Sequence, residues 1–346
     1  MKELQEITKA YDEAINANQS CVLATVVHVE GSSYRRAGAR MLVLENGLMI
    51  GAISGGCLEG DALKKALLTF TDKQNRLVTY DTSDEEDATV GIQLGCEGII
   101  QVLFEYVNTA ESNNPIELIR QAISTRQKSV IVTLYNLKNK SASQLGTIYN
   151  YSFDAYLQLS ESNKQWPSEA LIQIIEPAIS LVIIGAGNDA IPLMQMATIL
   201  GWEVKVVDGR QTHAKQDRFI NACQVLVSKP EKVLEQITID HRTCFVLMTH
   251  NYQYDLQMIK LLLPINLPYV GLLGPKKKYN RIVEDIQKQG INPTDNQLAK
   301  IYGPTGLAIG AETSEEIASS IIAEIQAVLN NQTGSMLKWK ENQIHQ

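Results

Sequence analysis

Leu181-Val182-Ile183-Ile184-Gly185-Ala186-Gly187-Asn188-Asp189-Ala190 joins a short apolar run to a glycine turn and, through Met194, Ala197 and Leu200, to a helical repeat of apolar positions. A buried strand, a tight turn and a helix in that order match G-x-G-x-x-A, in which the glycines admit a phosphate close to the helix N-terminus. Asp208 ends the next apolar run 21 residues after Gly187, where an acid can bond a ribose hydroxyl. Pro192 falls in the first helical turn, where its missing N–H costs nothing. The alternative is a loop that serves only the geometry of the fold.

Outward from this stretch the runs Val204–Val207, Val225–Val227, Cys244–Met248 and Tyr269–Leu272 alternate with helical segments. Short apolar runs separated by helices predict buried parallel strands with right-handed crossovers, a doubly wound sheet over residues 179–331. Ligands gather at the carboxyl ends of such strands. There the sequence places Thr249-His250-Asn251-Tyr252 and, one strand on, Gly274-Pro275-Lys276-Lys277-Lys278. His250 is a candidate acid/base, metal ligand or anion donor, or simply a loop anchor; Lys276 is a candidate phosphate contact. Tyr302 to Gly310 is rich in turn formers and precedes a helix that begins at Ser314 with two glutamates.

Toward the N-terminus the pattern is different. Residues 1–107 read as a mixed α+β domain: a helix, a strand over Cys21–Val29, a hairpin turning at Asn46-Gly47, a helix from Leu58 to Phe70, and strands near 76–80 and 99–106. Residues 108–178 read as a β-rich middle segment packed on that domain, with strands over Ser129–Leu134 and Ala155–Leu159. Residues 332–346 read as a polar tail. Between hairpin and helix lies Ile53-Ser54-Gly55-Gly56-Cys57-Leu58-Glu59-Gly60-Asp61, which sets a thiol at a helix N-terminus behind exposed glycine backbone. Such a position favours a thiolate and lets a ligand approach the main chain, although a small buried residue beside a tight turn gives the same pattern. Gly95-Cys96-Glu97-Gly98 repeats the theme. The loop from Glu30 to Arg40, with Ser32, Arg36 and Arg40, suits an oxyanion, unless its arginines pair with Asp84-Glu85-Glu86-Asp87.

Composition narrows the classes. The 346 residues carry a formal net charge of −7 and a pI near 5.4, which argues against a general nucleic-acid surface. The charged N-terminus has no signal-peptide core, and no apolar span is long enough for a membrane, so a cytoplasmic protein is expected. Five scattered cysteines without a C-x-x-C pair suggest reduced thiols.

Taken together, Glu30-Gly31-Ser32-Ser33, Arg36, Gly38-Ala39-Arg40-Met41, Ser54 to Gly60, Gly95-Cys96, Gly185-Ala186-Gly187, Met248-Thr249-His250, Gly271 to Gly274, Gly306-Leu307, Gly310 to Thr313 and Glu316-Ile317-Ala318 resemble the XdhC/CoxI family. The middle segment matches least. The resemblance implies a non-enzymatic accessory factor that binds molybdenum cofactor, supports its sulfuration by a cysteine desulfurase and hands it to an apo molybdenum hydroxylase such as xanthine dehydrogenase. On that reading Gly185, Gly187, Asn188 and the following helix take the phosphate end, with Asp208, His250 and Lys276 nearby. Ser32, Arg36, Arg40, Ser54, Gly55 and Gly56 line the other part of the site, and Cys57 and Cys96 face the metal end. Asn188 stands where the family often has His, and Glu97 beside Cys96 favours Cys57 as the working thiol. The competing readings are an NAD(P)-dependent oxidoreductase built on the same loop and Asp208, and a docking protein that handles no cofactor. A homodimer would let one chain's first domain close over another's cleft.

Overall fold

The computed structural model describes residues 1–81, 98–138, 145–159 and 169–339, and the chain divides into two compact units, Met1–Pro177 and Ala178–Gln346.

In the first unit, α1 (Lys2–Asn16) is followed by β1 (Cys21–Gly31), β2 (Arg40–Leu44) and β3 (Met49–Gly51), then α2 (Glu59–Asp72), β4 (Arg76–Asp81) and β5 (Gly98–Val107). The five strands form an antiparallel sheet in the order β3-β2-β1-β5-β4. The hairpin between β2 and β3 turns at Gly47, whose φ of +86° is a conformation open to glycine at little cost. Alternation along β1 divides the core: Cys21 and Leu23 face α1 (Ile7, Tyr11, Ala14), while Val22, Ala24 and Val26 face α2 (Ala62, Ala66).

The remainder of the unit comprises α3 (Pro115–Ser124), β6 (Ser129–Tyr135), β7 (Gly146–Ser152), α4 (Phe153–Gln158) and β8 (Glu169–Ile175), the strands pairing antiparallel as β7-β6-β8. Asn114 starts α3 by accepting the N–H groups of Ile116 and Glu117. The strand expected over Ala155–Leu159 is instead the end of helix α4. Ser152 accepts the N–H of Ala155 and caps a helical turn there, a local bond that the apolar pattern does not reveal.

The second unit is the doubly wound sheet that the sequence predicts. Its strands are β9 (Ser180–Ile184), β10 (Glu203–Asp208), β11 (Gln224–Val227), β12 (Thr243–Leu247), β13 (Tyr269–Leu272) and β14 (Ile301–Tyr302), all parallel, in the order β11-β10-β9-β12-β13-β14. Helices α5 (Ala190–Ile199), α6 (Pro230–Val233), α7 (Tyr252–Leu262), α8 (Lys276–Lys288), α9 (Asp295–Leu298) and α10 (Ser314–Leu329) complete it. The fully buried strands have an apolar cluster on each face, one with α5 and α10, the other with α7 and α8. Thr313 and Glu316 form a reciprocal capping box at the start of α10. Chain order reverses between β9 and β12, and a crevice opens at such a switch point. Among the described residues no helix is long and apolar enough to cross a membrane.

Candidate functional site

The switch point is built by close backbone approach. A β-carbon at Gly185 would lie 2.5 Å from the carbonyl oxygen of Met248, so only glycine lets the β9 turn meet the end of β12. On the facing corner His250 adopts φ +55°, a left-handed conformation that costs a non-glycine residue energy and needs support. Thr249 supplies part of it by donating to Asp255 Oδ1 at 2.7 Å, and Lys278 Nζ holds Asp255 Oδ2 at 2.6 Å. His250 Nε2 lies 3.0 Å from Asp189 Oδ2, leaving most of the ring in solvent.

The crevice holds an open cavity of about 340 Å³ lined by Gly187, Asn188, Arg210, Thr212, His213, Arg218 and His250. Four of these, Arg210, Thr212, His213 and Arg218, were not anticipated from sequence. They follow β10 in a stretch without periodicity, where the Asp-x-Arg spacing of Asp208-Gly209-Arg210 was the one available signal. Arg218 ties the loop together: Nη1 donates to the carbonyls of Ala186 and His213, each at 2.8 Å, and Nη2 to Asn188 Oδ1 at 2.8 Å.

Asp208 does not play the part expected of it. It is 3% exposed, and four hydrogen bonds fill its carboxylate: Oδ2 accepts from Ala186 N–H and Arg210 Nη2, and Oδ1 from Arg210 N–H and Nε. A carboxylate offers about four acceptor sites, so none remains for a ribose. Burial alone would push this carboxyl up, but the bonds from Arg210 and Ala186 outweigh it and hold it below the usual range. The same pairing raises the Arg210 guanidinium. Asp208 is therefore a brace that fixes the glycine turn and aims Arg210.

The helix start departs from the dinucleotide pattern too. Asp189 is the N-cap of α5, and a β-carbon on Gly187 would meet its Oδ1 at 2.5 Å. A carboxylate thus lies where a dinucleotide's pyrophosphate is expected, opposing the attraction of the helix dipole for an anion. Lys276 is elsewhere: its Nζ donates to the Gly303 carbonyl at 2.9 Å and sits over the Tyr279 ring, and it does not line the cavity. A long cation beside a bare carbonyl takes that local partner.

In the first unit the thiol loop is closed on itself. Ser54, 4% exposed, donates Oγ–H to Glu59 Oε2 and accepts the N–H groups of Gly56 and Leu58, each at 3.1 Å, while its own N–H donates to Glu59 Oε1 at 2.9 Å. Burial pushes the Glu59 carboxyl up, but the Ser54 bonds prevail and hold it below its ordinary value. Ser54 is thus a loop brace. Leu58 is the N-cap of α2, so Cys57 precedes the cap rather than standing in the first turn. The thiol is half-buried against the core of the sheet. Gly55 and Gly56 are exposed; Gly56, at φ +110°, faces open space, and the Tyr34 ring lies over Gly55.

The arginine loop separates into unlike roles. Ser32 and Arg36 are exposed. Arg40 is fully buried, with Nη1 bonded to Gln173 Oε1 and to the Gly38 carbonyl. Burial lowers it to about 10, against the pull of Glu105 and Glu3. It belongs to the interior rather than to a binding surface, because its place in β2 turns it inward alongside Leu42 and Leu44. Arg35 pairs with Glu3 at 2.5 Å. Cys96, Glu97 and the acidic run 84–87 lie outside the described residues. Among the described residues no group of three His, Cys, Asp or Glu is placed to hold a metal ion.

The sequence profile of the XdhC and CoxI family matches residues 14–81, and that of the XdhC Rossmann domain matches residues 181–325. A Bacillus subtilis protein named as a probable subunit of xanthine dehydrogenase is 34% identical over 326 residues, spanning 91% of this chain and 94% of its own. The Escherichia coli molybdenum cofactor insertion chaperone PaoD is 22% identical over 316 residues, 91% of this chain and 86% of that one. A crystal structure described as a xanthine dehydrogenase from Bacillus halodurans aligns with a TM-score of 0.77 at 29% identity, covering 96% of this chain and 98% of the other.

Proposed function

The chain belongs to the XdhC and CoxI family, and from this we propose that it is a maturation factor for a molybdenum hydroxylase of the xanthine dehydrogenase type. It binds molybdenum cofactor as cargo, holds it while a cysteine desulfurase exchanges an oxo for a sulfido ligand, and passes it to the apo-hydroxylase. The observation that carries the reading is near-full-length likeness to a protein named for xanthine dehydrogenase and to a molybdenum cofactor insertion chaperone.

The chemistry of the two units supports it. The cargo has a phosphate end and a soft metal end. Taken by itself, the second unit has a cavity lined by Arg210 and Arg218 that suits a phosphate; taken by itself, the first unit has in Cys57, beside the open backbone of Gly55 and Gly56, a thiol that suits a soft metal. The sealed Asp208 and the carboxylate at the helix start count against the oxidoreductase reading, since nicotinamide dinucleotides rely on both positions.

Protein incubated with molybdenum cofactor and then desalted should retain pterin, read by fluorescence after oxidation, and Cys57→Ala should retain less or fail to activate the apo-hydroxylase. Retention of nicotinamide without pterin would overturn the proposal. Full activation by Cys57→Ala would leave the docking reading in its place.

A further inference from the structure

We infer that the cavity beside the end of β10 seats a phosphate monoester on Arg210, Arg218, Thr212 and His213, displaced from the helix start where a Rossmann fold ordinarily holds phosphate. For its natural ligand the inference rests on the maturation reading; the chemistry of the seat is argued from the second unit alone.

The charges around the switch point are inverted with respect to a dinucleotide site. In that site a free helix N-terminus takes the pyrophosphate and an acid at the end of the second strand takes the ribose diol. Here the helix start carries the Asp189 carboxylate, turned against Gly187 and paired with His250. The strand end presents a guanidinium, because Arg210 lies over Asp208 and covers it. An anion is therefore disfavoured at the first position and favoured at the second.

Arg210 is already oriented for this task. Asp208 holds its Nε and Nη2, the side chain remains 48% exposed, and its Nη1 makes no hydrogen bond among the described residues. Arg218 supplies the uncompensated charge: its partners are two carbonyls and one amide, and no carboxylate of the described residues pairs with it. Thr212 Oγ1 lies 2.9 Å from His213 Nδ1, placing a hydroxyl and an imidazole on the same wall. Two fixed guanidiniums match the oxygens of a tetrahedral dianion, and their internal bonds remove the ordering cost that free arginines incur on binding. A ribose diol, lacking charge and finding Asp208 occupied, gains nothing comparable.

Two natural sources share the chemistry: the terminal phosphate of the pterin cofactor, and the 2′-phosphate of a nucleotide. Titration calorimetry of the full chain with NAD+, NADP+ and inorganic phosphate, together with pterin retention, separates them. NADP+ should bind about tenfold more tightly than NAD+, or about 1.4 kcal/mol, with inorganic phosphate competing. Arg210→Gln should abolish that preference. Arg218 also braces the loop, so a gain-of-binding variant guards against misfolding: Asp189→Asn should strengthen phosphate binding about threefold by removing a like charge. Equal binding of NAD+ and NADP+, or no phosphate competition, would overturn the inference, as would an Asp189→Asn variant that weakens phosphate.

The pterin arm divides this result from the maturation reading. Pterin retention unaffected by Arg210→Gln, alongside absent phosphate binding, removes the seat and leaves the reading intact. Phosphate binding that Arg210→Gln reduces, with no pterin retained, keeps the seat, discards the reading and assigns the nucleotide source.

Discussion

Replacing Asp208 by Asn tests the brace directly, because the two side chains have the same shape and differ in charge and in one donor. Asp208 now accepts four hydrogen bonds at 2.7–2.9 Å while 3% exposed. With Asn, the oxygen can still face Arg210, but the amide then confronts the Ala186 N–H, donor against donor. Leaving that buried N–H unpaired costs about 1–3 kcal/mol. The lost ion pair adds about 0–1 kcal/mol, discounted because half of Arg210 is in solvent. The loss of about 1–4 kcal/mol predicts a fall in melting temperature of about 2–16 °C for a unit of this size. Urea or thermal denaturation with a probe for the second unit reads it. Since the folded carboxyl is held below its ordinary value, its contribution is complete above the unfolded value of about 3.9 and is lost as pH falls through the lower folded value. The difference between wild type and variant should accordingly be flat near neutrality and shrink only in strong acid. A loss under about 0.5 kcal/mol, coupled with weakened NAD+ binding, would restore the ribose role and refute the reasoning.

Other perturbations discriminate elsewhere. Burial raises the Glu105 carboxyl from 4.5 to about 6, despite the hydrogen bonds from Thr147 and the Arg40 charge. The folded state thus binds more protons than the unfolded one between those values, and stability should decline by about 2 kcal/mol as pH rises through that window; Glu105→Gln should flatten the slope, and an unchanged slope would assign it to another group. Arg40→Ala should cost about 3–5 kcal/mol by stranding buried partners, yet leave pterin retention per folded molecule unchanged; selective loss of retention would return Arg40 to the binding surface. Gly185→Ala combines a φ of +119° with a 2.5 Å approach to the Met248 carbonyl and should cost about 2–6 kcal/mol, against about 1–3 kcal/mol for Gly56→Ala, which meets open space. Equal losses in denaturation would show that the close approach at Gly185 relaxes freely.

Periodicity made the architecture legible. Runs such as Leu181–Ile184 and Cys244–Leu247 are buried on both faces and have no use outside a covered parallel sheet, so their spacing carried the fold. The thiol loop was legible in outline, as exposed glycine backbone ahead of a helix, but not in the Ser54–Glu59 closure that makes Ser54 a brace, nor in the place of Cys57 before the cap. What escaped were contacts between residues distant in sequence. Nothing in the local pattern buries Arg40 beside Gln173 or ties Lys276 to the Gly303 carbonyl. The turn of α4 escaped for a local reason: the bond between Ser152 and Ala155 outweighed an apolar pattern too short to decide between strand and helix.

The glycine motif illustrates why a fingerprint and a ligand are separable. Its glycines answer to backbone demands, the approach of Gly185 to Met248 above all, and those demands hold whatever the crevice accommodates. On the inference drawn above, the ligand follows from the charges at two positions outside those glycines. At one, Asp189 brings a carboxylate to the helix start; at the other, Arg210 turns a diol acceptor into a covered brace. Had position 189 been neutral and position 210 apolar, the same backbone would present a dinucleotide site: an unopposed helix terminus and an open acid. The pair Asp189→Asn and Arg210→Leu should therefore move preference from NADP+ toward NAD+ by exposing Asp208 and freeing the helix start, measured as the ratio of the two dissociation constants. A double variant that keeps the wild-type ratio would show that selectivity resides elsewhere in the crevice, with Arg218 the next residue to test.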